Sequence, residues 1–81
     1  MQVRVRLGAG LAHLSAAPLL VVELGDGATV DELFARLRVT HPQIAPALPS
    51  ALPVLAGEHV PRDRRLADRD QVALLLPVSG G

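Results

Sequence analysis

One segment of the chain, residues 29–41, has the pattern of an amphipathic helix, and this limits what the rest can form. Apolar side chains recur there at the spacing that gathers them on one face of a helix. They are Val30, Leu33, Phe34 and Leu37. Thr29 and Glu32 form a capping box at the start, and Pro42 predicts the end. A single helix of this kind needs a sheet to pack against, so we expect an α+β fold.

The remaining regular segments have the patterns of short strands. Apolar and polar residues alternate over residues 2–7, which predicts a strand with one buried face. Apolar runs predict strands at residues 19–24 and 71–76, and shorter ones at residues 54–56 and near Val60. This order of elements is typical of a small roll in which one helix covers one face of a sheet.

The connections between these elements are less regular. Four prolines between residues 42 and 53 predict that this segment forms neither a long helix nor a central strand. Residues 61–70 are a charged loop that contains Arg62, Arg64 and Arg65. We expect this loop to be solvated, and docking against an acidic partner surface remains the alternative.

Composition excludes several classes of function. The 81 residues suffice for one small domain, and eight basic residues balance eight acidic ones, so we expect no nucleic-acid partner. There is no cysteine, and the three histidines are far apart without a carboxylate at a ligand spacing, so we expect no metal site. No serine, histidine and acid combination has the local signature of a hydrolase.

No membrane span is predicted, because the longest uncharged apolar run, residues 72–78, is far shorter than the ~20 residues required. Arg4 and Arg6 precede an apolar stretch that is loosely similar to a secretory signal. The alternation over residues 2–7 favours a folded strand instead, and we expect a cytoplasmic protein.

The pair Gly80-Gly81 is the first feature that points to a function. Glycine has no Cβ, so a tail of this kind can pass through a narrow channel and present its α-carboxylate inside another protein. A carboxylate is a poor electrophile, and using it requires activation, for example as an acyl-adenylate. The alternative is a frayed terminus without a role.

Leu75 is the second feature. Strand alternation places Leu74 on one face with Val72 and sends Leu75 to the other face. Because one helix covers only one face of the sheet, Leu75 is predicted to be partly exposed beside the tail. It is either part of a hydrophobic docking patch or a large residue that happens to be exposed.

Two stretches near the C-terminus together resemble the signature of the MoaD/ThiS sulfur carriers: residues 66–72, LADRDQV, and residues 76–81, LPVSGG. Residues 27–33, GATVDEL, are similar to the entry of that family's helix. The resemblance implies a ubiquitin-like β-grasp fold, a mixed sheet of four to five strands packed on one main helix. It also implies a domain over residues 1–76 followed by a flexible Gly-Gly tail over residues 77–81.

By this resemblance the chain is a carrier and not an enzyme by itself. An E1-like adenylating enzyme would bind it and use ATP to adenylate Gly81, and a sulfur donor would then displace AMP to leave a thiocarboxylate. Gly80 would give access to the active site of the partner. The chain itself would bind no cofactor and no metal. The expected partner contacts are Leu75, Pro77, Val78 and Ser79.

The acceptor of the sulfur is left open by the sequence. Length and the ending PVSGG resemble the small subunits of molybdopterin synthases, which implies the large synthase subunit as partner. Three positions depart from the family pattern. The chain has Leu76 where the family usually has a proline, Arg69 where it has a glycine, and Ala56 where an asparagine is common. A carrier for thiamine, cysteine or a specialised metabolite therefore remains an alternative, as do a ubiquitin-like protein modifier and a plain interaction module.

Overall fold

A mixed sheet with one long helix across one of its faces forms the body of the molecule. The computed structural model describes residues 1–15 and 17–77. In order along the chain, its elements are β1 (Gln2–Leu7), α1 (Ala9–Ala12), β2 (Leu19–Glu23), α2 (Val30–Thr40), a 3₁₀ helix (Pro42–Ser50), β3 (Leu52–Leu55), β4 (Glu58–His59) and β5 (Gln71–Leu75). The predicted α+β class is confirmed.

The five strands of the described residues lie in the order β2-β1-β5-β3-β4. β1 runs parallel to β5, with Arg4 beside Gln71, whereas β1–β2, β3–β5 and β3–β4 are antiparallel. The sheet is therefore mixed, as expected. The central strand, β5, and its neighbour β1 come from opposite ends of the described chain.

The helix α2 begins as the sequence predicts. The Thr29 hydroxyl accepts a hydrogen bond from the Glu32 backbone N–H at 3.2 Å, and the Thr29 N–H donates to the Glu32 carboxylate at 3.4 Å. This reciprocal pair is the capping box, which satisfies N–H groups that have no partner within the helix.

The backbone of the charged loop completes this helix start. Arg64 and Arg65 are exposed, as expected of a solvated loop, and Arg62 is the exception. The backbone N–H groups of Val30 and Asp31 donate to the carbonyls of Arg64 and Arg62, at 2.9 and 2.8 Å. The Arg62 guanidinium lies 4.0 Å from the centre of the Phe34 ring, a cation–π geometry. The loop is therefore part of the folded structure, and Arg62 is half-buried.

The core lies between α2 and one face of the sheet. Every second residue of β1 is buried, as the predicted alternation requires, and the same holds for β2. The apolar stripe of α2 faces these residues and is fully buried. It consists of Val30, Leu33, Phe34 and Leu37. The opposite face of the sheet has no helix over it among the described elements.

The prediction for the proline-rich segment is right that no long α-helix forms there, but it missed a 3₁₀ helix and part of an interior strand. Residues 42–50 form a 3₁₀ helix, in which Ile44 and Leu48 are fully buried. Proline suits this helix because its fixed φ lies in the range of 3₁₀ geometry. Apolar burial holds the helix in place although three of its nine residues are prolines.

Pro53 is the second correction, because it lies inside β3, between β5 and β4. Its carbonyl accepts from the N–H of Val60 at 3.0 Å, just past the end of β4. In an antiparallel pair the N–H and C=O of one residue point to the same neighbouring strand. The nitrogen of Pro53, which carries no hydrogen, therefore faces β4 and not β5. No hydrogen bond to β5 is lost, and a proline is tolerated in an interior strand.

Element ends shift by one or two residues from the predictions. β5 ends at Leu75 and β2 at Glu23, one residue earlier than expected in each case, and β3 begins at Leu52. Among the residues described, none of the helices has the length and apolar character needed to cross a membrane.

Candidate functional site

The site is built at the end of β5, where the chain leaves the sheet. Leu74 is fully buried, whereas Leu75 points to the other face and is 43% exposed, as predicted. Leu52 lies directly opposite Leu75 on β3 and is 37% exposed. The two leucines form a small apolar patch beside the point where the chain continues towards Pro77.

Two glycines leave room for the leucines of this segment. The N–H of Gly8 donates to the carbonyl of Leu74 at 2.9 Å. A Cβ on Gly8 would lie 3.0 Å from the Leu75 Cδ2, and one on Gly10 would lie 2.8 Å from the Leu76 Cδ1. Residues 8–10 therefore serve as a close-packed support for the end of β5.

The sequence-predicted site residues fall into two groups. Leu75 and Pro77 are described, and Pro77 is exposed next to the Leu75–Leu52 patch. Val78, Ser79, Gly80 and Gly81 lie outside the described residues. Contacts of all six with a partner remain predictions.

Leu52 is a site residue that the sequence analysis missed. The alternation of Leu52 and Val54 would have indicated that both point to one face, since neighbouring strand residues point to opposite faces. The expectation that prolines exclude a strand in this segment hid that signal.

The patch continues across the helix-free side of the sheet, which we call the open face. Val54, Ala73, Arg6 and Leu19 lie side by side in one cross-strand row of this face. The full set of residues is Gln2, Arg4, Arg6, Leu19, Val21, Glu23, Leu52, Val54, His59, Gln71, Ala73 and Leu75. An open groove of about 370 Å³ lies on it, bordered by Arg6, Val54, Gln71 and Ala73 and by the turn at Ala56 and Gly57.

The histidines and acidic residues of the described part of the chain are dispersed. No three histidine, aspartate or glutamate side chains converge there in a way that could hold a metal ion. His13, His41 and His59 lie on separate elements or connections.

Comparisons with known proteins give the same picture over the whole chain. A family model described as the ThiS family matches residues 7–81. The molybdopterin synthase sulfur carrier subunit of Chlamydomonas reinhardtii is 34% identical over 83 residues, with 100% of both chains covered. These matches confirm the resemblance inferred from residues 66–81.

Solved structures share the fold. SAMP1 from Haloferax volcanii superposes with a TM-score of 0.89 at 25% identity, with 100% of both chains covered. A chain in the complex of subunits 1 and 2 of the molybdopterin-converting factor from Helicobacter pylori superposes with a TM-score of 0.73 at 24% identity, again with 100% of both chains covered. The expected ubiquitin-like β-grasp fold is thereby confirmed.

Proposed function

Because this chain belongs to the ThiS family, we propose that it is a sulfur carrier whose Gly81 carboxylate is converted to a thiocarboxylate. The observation that carries the proposal is the full-length likeness to a molybdopterin synthase sulfur carrier subunit, at 34% identity. The family match also runs through Gly80 and Gly81, the residues on which the chemistry would take place.

The proposed chemistry has two steps, both catalysed by partners. In the first, a carboxylate oxygen of Gly81 attacks the α-phosphorus of ATP in an E1-like adenylating enzyme, and pyrophosphate leaves. In the second, hydrosulfide from a sulfide source attacks the acyl carbon of the adenylate, the bond to AMP breaks, and loss of the sulfur-bound proton leaves Gly81 as a thiocarboxylate. The chain is then a protein co-substrate and not a catalyst, ATP is bound by the partner, and the reaction takes place in the cytoplasm.

The described residues would supply the docking side of this reaction. The Leu75–Leu52 patch and Pro77 lie immediately before the residues that would enter the partner, on a strand end held by the buried Leu74. Because this strand end is packed against the core, the position at which the tail begins is fixed. Gly80 has no side chain that could obstruct entry of the tail into the partner.

We propose the large subunit of molybdopterin synthase as the acceptor. The name of the Chlamydomonas reinhardtii relative supports this acceptor, and the related Helicobacter pylori structure is a complex of subunits 1 and 2 of the molybdopterin-converting factor. In this role the thiocarboxylate sulfur would be the nucleophile that builds the dithiolene of the cofactor.

The experiment that tests the carrier chemistry is intact-protein mass spectrometry. The chain is incubated with ATP, the adenylating enzyme of the same organism and a sulfide source. We expect a mass gain equal to the exchange of one oxygen for sulfur, and none in a variant that lacks Gly81. Circular dichroism of that variant should show an intact fold, because residues 1–77 build the core without it.

The outcomes separate the alternatives. Sulfur transfer by the variant without Gly81 would refute the carrier proposal. A thiocarboxylate that is consumed only by a thiamine or cysteine pathway enzyme would keep the carrier and reject molybdopterin synthase as the acceptor. Isopeptide conjugates with lysines of other proteins would favour the protein modifier.

A further inference from the structure

The open face carries two arginines, Arg4 and Arg6, and one carboxylate, Glu23, which lies beside Gln2 in the row beyond Arg4. Arg4 lies between Val21 on β2 and Gln71 on β5. Arg6 lies in the next row of the same face, between Leu19 and Ala73. Both arginines thus lie on β1, an interior strand of the sheet, with mostly apolar neighbours on either side.

Neither arginine is neutralised within the described residues, since no carboxylate there lies within 4.0 Å of either guanidinium. The carboxylates at the same end of the sheet already have partners. Glu23 accepts from the side-chain amide of Gln2 at 3.1 Å, and Asp68 accepts from the Gln2 backbone N–H at 2.7 Å. Asp70 accepts from the N–H of Ala67 at 2.8 Å.

This arrangement constrains what can cover the open face. A purely apolar partner surface would remove water from two guanidinium groups without offering a counter-charge, which is strongly unfavourable. A partner with carboxylates opposite them would form charge-assisted and often bidentate hydrogen bonds. The open face therefore fits an apolar protein surface that carries acidic side chains opposite β1.

The position of the arginines connects this surface to the proposed chemistry. Arg6 lies beside Ala73, and Ala73 is two residues before Leu75 on β5. Two strand residues span only about 7 Å, so an enzyme that docks on Leu75 next to the tail also reaches Arg6.

From these contacts we propose that Arg4 and Arg6 dock against acidic side chains of the adenylating enzyme and determine its recognition of this chain. The inference rests on the proposed function. Net charge cannot supply this attraction, because the chain carries formal charge +0. The recognition is therefore local to the open face, and it acts before the chemistry at Gly81.

The test measures initial rates of pyrophosphate release by the adenylating enzyme of the same organism at increasing concentrations of the chain. The variant is Arg4→Gln/Arg6→Gln. Its matched control, Arg36→Gln/Arg38→Gln, removes the same charge from exposed positions of α2. Thermal unfolding of both variants checks that the fold is retained.

We expect KM of the open-face variant to rise at least about a hundredfold with kcat nearly unchanged, because binding is lost and the tail is intact. The α2 variant should stay within about twofold of the wild type, as for ordinary surface charges. Added salt should raise KM of the wild type more than that of the open-face variant, since it screens the attraction. Arg4→Lys/Arg6→Lys should recover part of the loss, because it restores the charge without the bidentate geometry.

Two results would overturn the inference while the carrier function stands. One is a KM of the open-face variant within about twofold of the wild type. The other is normal adenylation of this variant together with lost binding to the large synthase subunit, which would assign the acidic surface to that protein. A wild-type chain that is never adenylated would contradict the proposed function itself, and this inference with it.

Discussion

The two faces of the sheet are made by the same strands and obey different constraints. On β1, Val5 is fully buried under α2, whereas its neighbours Arg4 and Arg6 are exposed on the open face. Residues on the covered face are constrained by packing, because any change in volume or polarity alters the free energy of unfolding. Residues on the open face are nearly free of that constraint, so their identity can be determined by the protein that binds there.

This difference explains how so small a chain can present a specific surface. Alternation along a strand assigns successive residues to opposite faces, so stability and recognition are encoded at different positions. Substitutions on the open face can therefore alter which protein binds there without altering the fold. Substitutions on each face test that separation, beginning with the largest expected effect.

Phe34→Ala tests the covered face at its largest buried side chain. We expect it to lower the free energy of unfolding by ~3–5 kcal/mol, because it creates a cavity in the core and removes the ring beneath Arg62. Total stability for a chain of this length is about 4–12 kcal/mol, so the variant should be close to unfolding. Urea denaturation followed by circular dichroism measures the change.

The open-face counterpart of this experiment is Leu75→Ala, at a side chain that is 43% exposed. It should lower stability by less than ~1 kcal/mol, because little packing is lost. Equal losses in the two variants would contradict the distinction between the faces.

A matched pair of substitutions sharpens the comparison. Val5→Thr places a hydroxyl in the fully buried core and should lower stability by about 1–3 kcal/mol. Val21→Thr makes the same change on the open face, where the side chain is 54% exposed and water reaches the hydroxyl, and should change stability by less than ~0.5 kcal/mol. Thermal melts of both variants give the difference, and similar melting temperatures would show that the open face is packed as tightly as the core.

A smaller effect than that of Val5→Thr is expected in the turn that leads into β5, outside both faces. Arg69 has a φ of 68°, in the left-handed region that favours glycine. Arg69→Gly should raise stability by ~0.5–1 kcal/mol, because it relieves this strain. Arg64→Gly is the control, since Arg64 is not among the residues with positive φ, and it should lower stability. A loss in both variants would show that the turn is unstrained.

Ala56, like Arg69, is a position at which the sequence departs from the family pattern, and it also has a left-handed backbone, with a φ of 53°. The residues expected at these two positions, asparagine and glycine, are those that tolerate this conformation best. The sequence alone identified the departures, and only the backbone gives their physical meaning.

The elements with strong local signals were predictable. α2 combines a capping box at Thr29 with a complete apolar stripe, and β1 alternates without interruption, so each is determined by its own residues. The exposure of Leu75 followed from the same alternation. Strand order and the parallel pairing of β1 with β5 depend on long-range contacts and were not predicted. Only the mixed character of the sheet was expected, through the family resemblance.

The failures share one cause, which is that tertiary contacts overrode a local rule. Pro53 is compatible with an interior strand only because its nitrogen faces the side where β4 has ended. Arg62 looks like a residue of a solvated loop until its position over Phe34 is known. Leu52 was missed as a neighbour of Leu75 because the pairing of β3 with β5 has no signature in either segment.

The parallel contact between β1 and β5 also has a consequence for synthesis of the chain. Arg4 finds its neighbour Gln71 only after almost all of the described residues have been translated. Until β5 emerges from the ribosome, the growing chain can form the β1–β2 pair but leaves one edge of β1 open and β3 without its main partner. Folding must therefore come after translation of β5, as for other contacts between distant residues. Nascent chains that stop earlier lack the surface by which a partner would select them.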